Sequence, residues 1–298
     1  MSPPALTVRE ALAEAGARLR GLPDGSPRIE AELLLSEASG LDRARILAWP
    51  DAPLGTEPRR RLAALVARRR RGEPVAYILG HQAFWTLDLE VSPATLIPRP
   101  ETELLVELAL ARLPANTGLL VADLGTGSGA IAAALASERP AWTLIAADRS
   151  IAALAVARTN ALRLGLSNIR TLAGDWLQAF APGSLDAVLS NPPYVRADDP
   201  HLGRGDLRFE PKTALMGGLD GLASIRHIAA AAPDRLKPGG LLALEHGFDQ
   251  GAEVRAILAG AGLVGVATLR DLAGHERVTL AHRGVTDSFL ISATRPLA

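Results

Sequence analysis

The chain has 298 residues, 48% apolar and 21% charged, enough to bury a core and, at ~100–200 residues per domain, to form two domains rather than a disordered chain. It contains no cysteine, which excludes disulfides, thiolate zinc sites, iron–sulfur clusters and cysteine nucleophiles. With 32 basic and 32 acidic residues, no global charge attracts a phosphate backbone, so nucleic acid is not the default partner. Pro3, Pro4, Arg9 and Glu10 break any basic-then-apolar leader, and no apolar run approaches the ~18 residues of a membrane span, so a soluble cytoplasmic protein is expected.

The first ~75 residues read as short helices. Thr7 and Glu10 have capping-box spacing, Ser26 and Pro27 suit an N-cap and first helical position, and Gly40 suits a C-cap. A third helix starts near Thr56, places Leu62, Leu65, Val66 and Arg69 on one side, and ends at Gly72. Residues 1–85 hold 13 basic against 10 acidic side chains. Arg59–Arg61 and Arg68–Arg71 supply most of that bias, as a solvated helix face or as a docking surface.

Residues 84–91 have strand character, and Pro93, Pro98 and Pro100 then mark a domain junction before a helix near Glu101. Beyond it strands (119–124, 142–147, 168–172, 185–190, 240–245) alternate with helices (129–138, 150–164, 221–236, 252–260), which predicts a doubly wound, mostly parallel α/β sheet covered on both faces. Two last strands, 263–270 and 276–281, are joined by too few residues for a crossover and should pair as an antiparallel hairpin. The expected organisation is a helical domain over 1–80, a β-hairpin or linker over 81–100, a main domain over 101–283 and a tail over 284–298.

Asp123-Leu124-Gly125-Thr126-Gly127-Ser128-Gly129 closes one strand and opens a helix. Such glycines let backbone approach a ligand closely at a helix N-terminus, although Gly125, Gly127 and Ala130 also fit the dinucleotide pattern. Asp148, at the end of the next strand, can accept hydrogen bonds from both ribose hydroxyls. Together they indicate an adenosine ribose without naming the cofactor. Asp175 and Trp176 follow the third strand, where a carboxylate could accept from an adenine amino group and an indole could pack on its ring; Trp176 could equally be core.

Asn191-Pro192-Pro193-Tyr194 follows the strand at 185–190, in the crevice where such sheets bind ligands. The prolines stiffen the turn and donate no N–H, leaving carbonyls and the Asn191 side chain as a rigid set of acceptors. That set fits a planar NH2 on an sp2 carbon, with Tyr194 stacking beside it. The lone pair of such an amine is delocalised, so the catalytic task is to hold both N–H bonds and present the lone pair to an electrophilic methyl.

With Asp123 to Gly129, this tetrapeptide resembles that of S-adenosylmethionine-dependent amino methyltransferases. Over about residues 5–283 the chain resembles the bacterial release-factor glutamine methyltransferases of the PrmC/HemK type. Ile97-Pro98-Arg99-Pro100-Glu101-Thr102-Glu103, Asp199-Pro200-His201-Leu202, Phe209-Glu210-Pro211, Leu244-Glu245-His246-Gly247 and Glu276-Arg277-Val278-Thr279-Leu280 extend the match. The resemblance implies a Rossmann-like class I methyltransferase fold with a seven-stranded sheet and a small N-terminal helical bundle. It implies methylation of N5 of the glutamine in the Gly-Gly-Gln motif of class 1 peptide chain release factors; apart from the resemblance, a monomer is expected.

In that family pattern Gly125, Thr126, Gly127, Ser128 and Gly129 cradle the methionine part of S-adenosylmethionine, Asp148 holds its ribose, and Trp176 lines the adenine pocket, with Asp175 beside it expected from its own chemistry to bind the cofactor. Asn191, Pro192, Pro193 and Tyr194 bind the substrate amide and form the catalytic site, Asn191 also touching the cofactor. The helical domain grips the release factor, and no stable nucleic-acid or membrane partner is implied.

The ~26 residues between Tyr194 and Gly221 lack periodicity and are expected to form a substrate-facing lid or a solvated loop. Arg99 and Glu101 sit on a proline-stiffened segment, entering the crevice or serving as a hinge. The six histidines show no ligand spacing, and no metal is expected. The nearest rival activity is N-methylation of an exocyclic amino group in DNA or RNA, adenine N6 above all. A nicotinamide dehydrogenase would leave Asn191–Tyr194 unexplained, and a non-catalytic module would not need both motifs intact.

Overall fold

The computed structural model describes residues 6–23 and 25–285, and most of the tail set apart in the sequence lies outside them. The chain forms two compact units, one comprising residues up to Gln82 with Pro200–Glu210, the other Ala83–Asp199 with the residues from Pro211 onward.

The helical unit holds α1 (Val8–Leu19), α2 (Pro27–Ser39), α3 (Arg43–Ala48), α4 (Thr56–Arg70) and α5 (Val75–Leu79). Three of the five were legible; α3 and α5, at six and five residues, are too short to show a period. Thr7 and Glu10 form the expected capping box, and Gly40 closes α2 at φ +71°, where a Cβ would be strained. Ser26 precedes Pro27 but makes no side-chain cap bond. Val8, Ala15, Leu19, Leu34, Leu35 and Val66 meet in the core.

The arginine run closing α4 is neither wholly solvated nor wholly a docking face. Arg68 pairs with Glu73, and the Arg69 side chain is only 2% exposed, its guanidinium contacting Glu30 at 3.0 Å and Asp206 at 2.7 Å. A third acceptor is the Glu73 carbonyl, 3.2 Å away. Desolvation alone would favour the neutral form, but the two carboxylates hold the Arg69 pKa above its usual value. Asp206 belongs to the stretch 200–210, expected in the main domain; it packs with the helical unit because Arg69 needs its carboxylate and Arg208 donates to the Arg71 carbonyl.

Where strand character was expected over 84–91, two short strands pair with each other, β1 (His81–Phe84) and β2 (Leu87–Glu90). Trp85 turns the chain at φ +57°, its N–H held by Glu103 Oε1 at 2.8 Å. A 3-10 turn over Pro100–Thr102 leads into α6 (Glu103–Arg112). Then come β3 (Leu120–Leu124), α7 (Ala130–Glu138), β4 (Thr143–Asp148), α8 (Ile151–Arg163), β5 (Ile169–Ala173) and β6 (Leu185–Ser190). The chain continues through α9 (Lys212–Leu215), α10 (Ala223–Arg235), β7 (Leu236–Glu245), α11 (Gly251–Gly260), β8 (Leu263–Arg270) and β9 (Glu276–Arg283). β7 starts four residues before its expected position because Leu236 pairs with Leu185 ahead of a bulge that absorbs Pro238 and Gly239.

The seven strands lie in the order β5-β4-β3-β6-β7-β9-β8. β3 to β7 are parallel, while β9 runs antiparallel to both β7 and β8, as the short connection requires. Alternating strand residues feed two cores. Val121, Leu144, Leu189 and Ala243 face one with α6 and α7; Ala122, Leu124, Val188 and Leu242 face the other with α10 and α11. The segment after Tyr194 is not structureless: it contains two 3-10 turns and α9, and a bridge pairs Val195 with Met216. Among the described residues no helix is long and apolar enough to cross a membrane.

Removing one member of a buried ion pair leaves an uncompensated charge, costing about 3–5 kcal/mol. Arg69→Ala should therefore lower the stability of the helical unit by that amount in urea titrations followed by circular dichroism, and replacing Glu30 and Arg69 together by Leu and Met should recover part of the loss.

Candidate active site

The parallel register sets Leu124 beside both Ala147 and Ser190, and Asp148 beside Ala173. The loops leaving β3, β4, β5 and β6 therefore emerge together at one edge of the sheet, at the switch point where connections reverse direction. Ser190 Oγ donates to the Leu124 carbonyl at 2.7 Å, pinning the ends of β3 and β6. A cavity of about 310 Å3 opens there, lined by Gly125, Gly127, Asp148, Asp175, Trp176 and Asn191 among others. That is near the lower end of the range for small-molecule sites.

Within the glycine loop the residues divide. Gly125 and Gly127 line the cavity at φ +66° and +56°. Thr126, Ser128 and Gly129, expected to face a ligand, are not in its wall. Thr126 is buried and its hydroxyl donates to Asp123 Oδ2 at 2.5 Å. Ser128 is buried, its carbonyl accepting from Asn160 Nδ2 at 2.9 Å. Gly129 packs on α8, where a Cβ would stand 3.2 Å from that of Ala157.

Asp148 accepts from Gly127 N–H at 3.0 Å and Ser150 N–H at 2.8 Å, one bond to each carboxylate oxygen. Each oxygen keeps acceptor capacity for a further donor. Trp176, at φ +50°, lays its ring over Gly125, and Asp175 is steadied by Gln178 at 2.9 Å. Glycine backbone, a pre-oriented carboxylate and an indole face together match the polar, diol-bearing and purine parts of S-adenosylmethionine.

Of the tetrapeptide, Asn191 and Pro193 line the cavity, whereas Pro192 is buried and Tyr194 turns its hydroxyl to Glu245 Oε1 at 3.2 Å. The carbonyls are not all available: that of Tyr194 accepts from Gln250 Nε2 at 3.1 Å, and that of Pro193 faces Gly217 so closely that a Cβ there would approach to 2.5 Å. Arg99 and Glu101 are not in the cavity wall; their charges reach Tyr194 and Glu245 respectively.

The sequence reading did not single out Thr95, Arg149 and Met216, which also line the cavity, or give roles to Thr102 and Glu245, which stand behind Asn191 and Tyr194. Only the repetition of their segments in the family pattern marked the latter two. Asn160, which braces Ser128 and exchanges hydrogen bonds with the Glu90 backbone, had no sequence signal beyond a polar residue in an apolar helix.

Two carboxylates lie buried beneath the site with one oxygen each unpartnered, Asp123 Oδ1 and Glu245 Oε2. Burial pushes both up to about 7, opposed at Asp123 by hydrogen bonds from Thr126 and Ala132, and at Glu245 by those from Thr102 and Tyr194 and by the charge of Arg277. His246 is held down by burial, between the Gly247 carbonyl and Thr279 Oγ1. Among the described residues no cluster of His, Asp or Glu could hold a metal ion.

Residues 10–80 match the model of the PrmC N-terminal domain, and residues 101–203 that of the methyltransferase small domain. A release factor glutamine methyltransferase of Pseudomonas aeruginosa is 55% identical over 260 residues, 87% of this chain and 94% of that protein. The protein so named in Escherichia coli is 48% identical over 92% of this chain and 96% of its own length. Among solved structures, a methyltransferase from Pyrococcus furiosus, 21% identical, superposes with a TM-score of 0.52 over 74% of this chain and 98% of its own. It shares the fold.

The raised carboxylates have a thermodynamic signature. A group whose folded pKa exceeds its unfolded value adds stability at low pH that is lost as pH rises through the folded pKa. The difference in unfolding free energy between the wild type and Asp123→Asn should thus shift by about 1.4 kcal/mol in favour of the wild type on going from pH 8 to pH 6, as read by denaturant titration.

Proposed function

The chain belongs to the release factor glutamine methyltransferase family, and we propose that it methylates N5 of the glutamine side chain in the Gly-Gly-Gln motif of class 1 peptide chain release factors. The observation that carries this reading is the placement of Asn191, at the mouth of a proline-stiffened turn, in the wall of the cavity that also holds Gly125, Asp148 and Trp176.

S-adenosylmethionine, when bound, supplies an electrophilic methyl group on a sulfonium sulfur. Gly125 and Gly127 would admit its methionine part, with Thr126, Ser128 and Gly129 shaping the loop from behind. Asp148 would accept from the ribose hydroxyls, and Asp175 and Trp176 would border the adenine. On the substrate side, Asn191 Oδ1 would accept one N–H of the glutamine amide in the cavity wall; the second would fall to the carbonyl of Pro192, buried in this structure but not committed like those of Pro193 and Tyr194. Pro193 fixes the turn, and the ring of Tyr194 flanks the amide plane.

Holding both N–H bonds orients the nitrogen lone pair toward the methyl, and such pre-paid orientation is a main source of rate when the nucleophile is weak. No side chain has to take the proton beforehand, because the amide nitrogen becomes acidic only as its lone pair is committed. Tyr194 is unsuited to that task in any case: burial and the neighbouring Glu245 hold its pKa above the ordinary phenol value, so the hydroxyl remains protonated. A cytoplasmic place of action accords with a substrate that works on the ribosome.

The test incubates the purified protein with methyl-labelled S-adenosylmethionine and an unmodified release factor, with a mixed RNA and DNA pool in parallel, and locates the label by mass spectrometry. One methyl on the Gly-Gly-Gln glutamine is expected; label on nucleic acid alone would sink the reading. Asn191→Ala should lower kcat by roughly 10²–10³-fold, as loss of one preorganised transition-state contact does, with a smaller change in cofactor affinity. Asp148→Ala should instead weaken cofactor binding roughly 10- to 100-fold by calorimetry, the scale of a hydrogen bond to a charged group.

A further inference from the structure

An asparagine amide has an accepting and a donating end, and only the accepting end can hold an N–H of the substrate. Which end faces the cavity is decided behind Asn191. Its Nδ2 donates to Thr102 Oγ1 at 3.0 Å. Thr102 is buried, and having accepted from Asn191 its hydroxyl must place its own proton elsewhere. Glu245, buried at the end of β7, lies alongside and is stabilised in its charged form by Thr102. Its Oε1 already accepts from the Tyr194 hydroxyl at 3.2 Å, while the buried Oε2 makes no hydrogen bond and is left as the open acceptor.

We propose that Glu245, acting through Thr102, is a positioning residue that fixes the polarity of the Asn191 amide so that Oδ1 faces the substrate. Asn191 donates to Thr102 and Tyr194 to the Glu245 carboxylate; the link between them is made when the Thr102 hydroxyl turns its proton to the open Oε2, and the chain of donors then runs one way only. A carboxylate cannot donate, so it forces the direction of every bond before it. Protonation reverses the first link. A carboxylic acid at 245 can donate to Thr102, which can then donate to Asn191 Oδ1 and turn the NH2 toward the substrate, where it meets another donor. One proton is taken up from solvent, forming the O–H bond of the Glu245 carboxylic acid, and no other covalent bond changes.

The groups facing Glu245 set where this reversal falls. Arg277 on β9 favours the carboxylate, as do Thr102 and Tyr194, while Glu101 and burial disfavour it. Arg99 acts on Tyr194. His246, next in sequence, directs its ring nitrogens away to the Gly247 carbonyl and Thr279. With Glu245 pushed up to about 7, the accepting orientation is populated above neutrality and lost below it.

The inference rests on the reading of Asn191 as the amide acceptor, and two measurements separate the two. In the cofactor-free, 15N-labelled protein, the Asn191 side-chain amide signals, assigned by their loss in Asn191→Asp, should shift with pH around a midpoint near 7, and the titration should vanish in Glu245→Gln and in Thr102→Val. An invariant Asn191 signal from pH 5.5 to 8.5, or an unaltered titration in both variants, would overturn the proposal whatever the enzyme methylates.

In turnover assays on the release factor, Thr102→Val should lower kcat on the order of 10²-fold while the affinity for S-adenosylmethionine stays within twofold. Thr102→Ser should recover most of the lost turnover together with the wild-type pH profile. A merely structural role predicts equal loss in both variants with the pH profile kept, and that result would also overturn it.

Discussion

The position of β3 between β4 and β6, in parallel register with both, is the constraint from which the site follows. It places the ends of four strands side by side, so that a glycine turn, two acidic loops and a proline-stiffened turn from distant parts of the sequence share one cavity wall. The register is enforced from both faces, because a slip of one residue would exchange Val121 and Ala122 between two cores that are each filled. The buried bond from Ser190 to the Leu124 carbonyl then fixes the separation of the two loops that matter most.

Beneath that edge the molecule tolerates what a core normally rejects. Asp123 and Glu245 are buried without a cation in bonding contact, each with an oxygen unpartnered, and burial of that kind is destabilising. Both sit directly under the cavity-forming loops. Asp123 organises the glycine turn through Thr126 and the Ala132 N–H, and Glu245 anchors Tyr194. Stability is given up at the place where loop geometry has to be held by directional bonds, since apolar packing alone would leave the orientation of an amide or a hydroxyl undetermined.

Much of this was readable in the sequence for identifiable reasons. The parallel strands are nearly continuous apolar runs between turn residues, the closing hairpin follows from the shortness of Asp271 to His275, and the glycine turn and Asn191–Tyr194 each carry a composition with a physical meaning. What stayed hidden depends on partners far apart in the chain. The helical period sets Arg69 on the apolar side with Leu62, Leu65 and Val66, but nothing local shows the partners that let a guanidinium be buried there, Glu30 and Asp206. Nothing local shows that Thr126, Ser128 and Gly129 turn inward; that depends on Asp123, Asn160 and Ala157. Thr102 and Glu245 have meaning only once the strand order brings them behind residue 191.

The stretch 200–210 gives the helical unit a history as well as a shape. Arg69 and Asp206 are separated by 137 positions, and a ribosome adds about 5–20 residues per second. For a time on the order of 10 s the emerging bundle therefore has its first five helices but only one of the two carboxylates its buried guanidinium requires. The unit that comes first in the chain is completed late in synthesis, after the glycine turn and the tetrapeptide have been made, so its final packing reports that the strands bearing both motifs already exist.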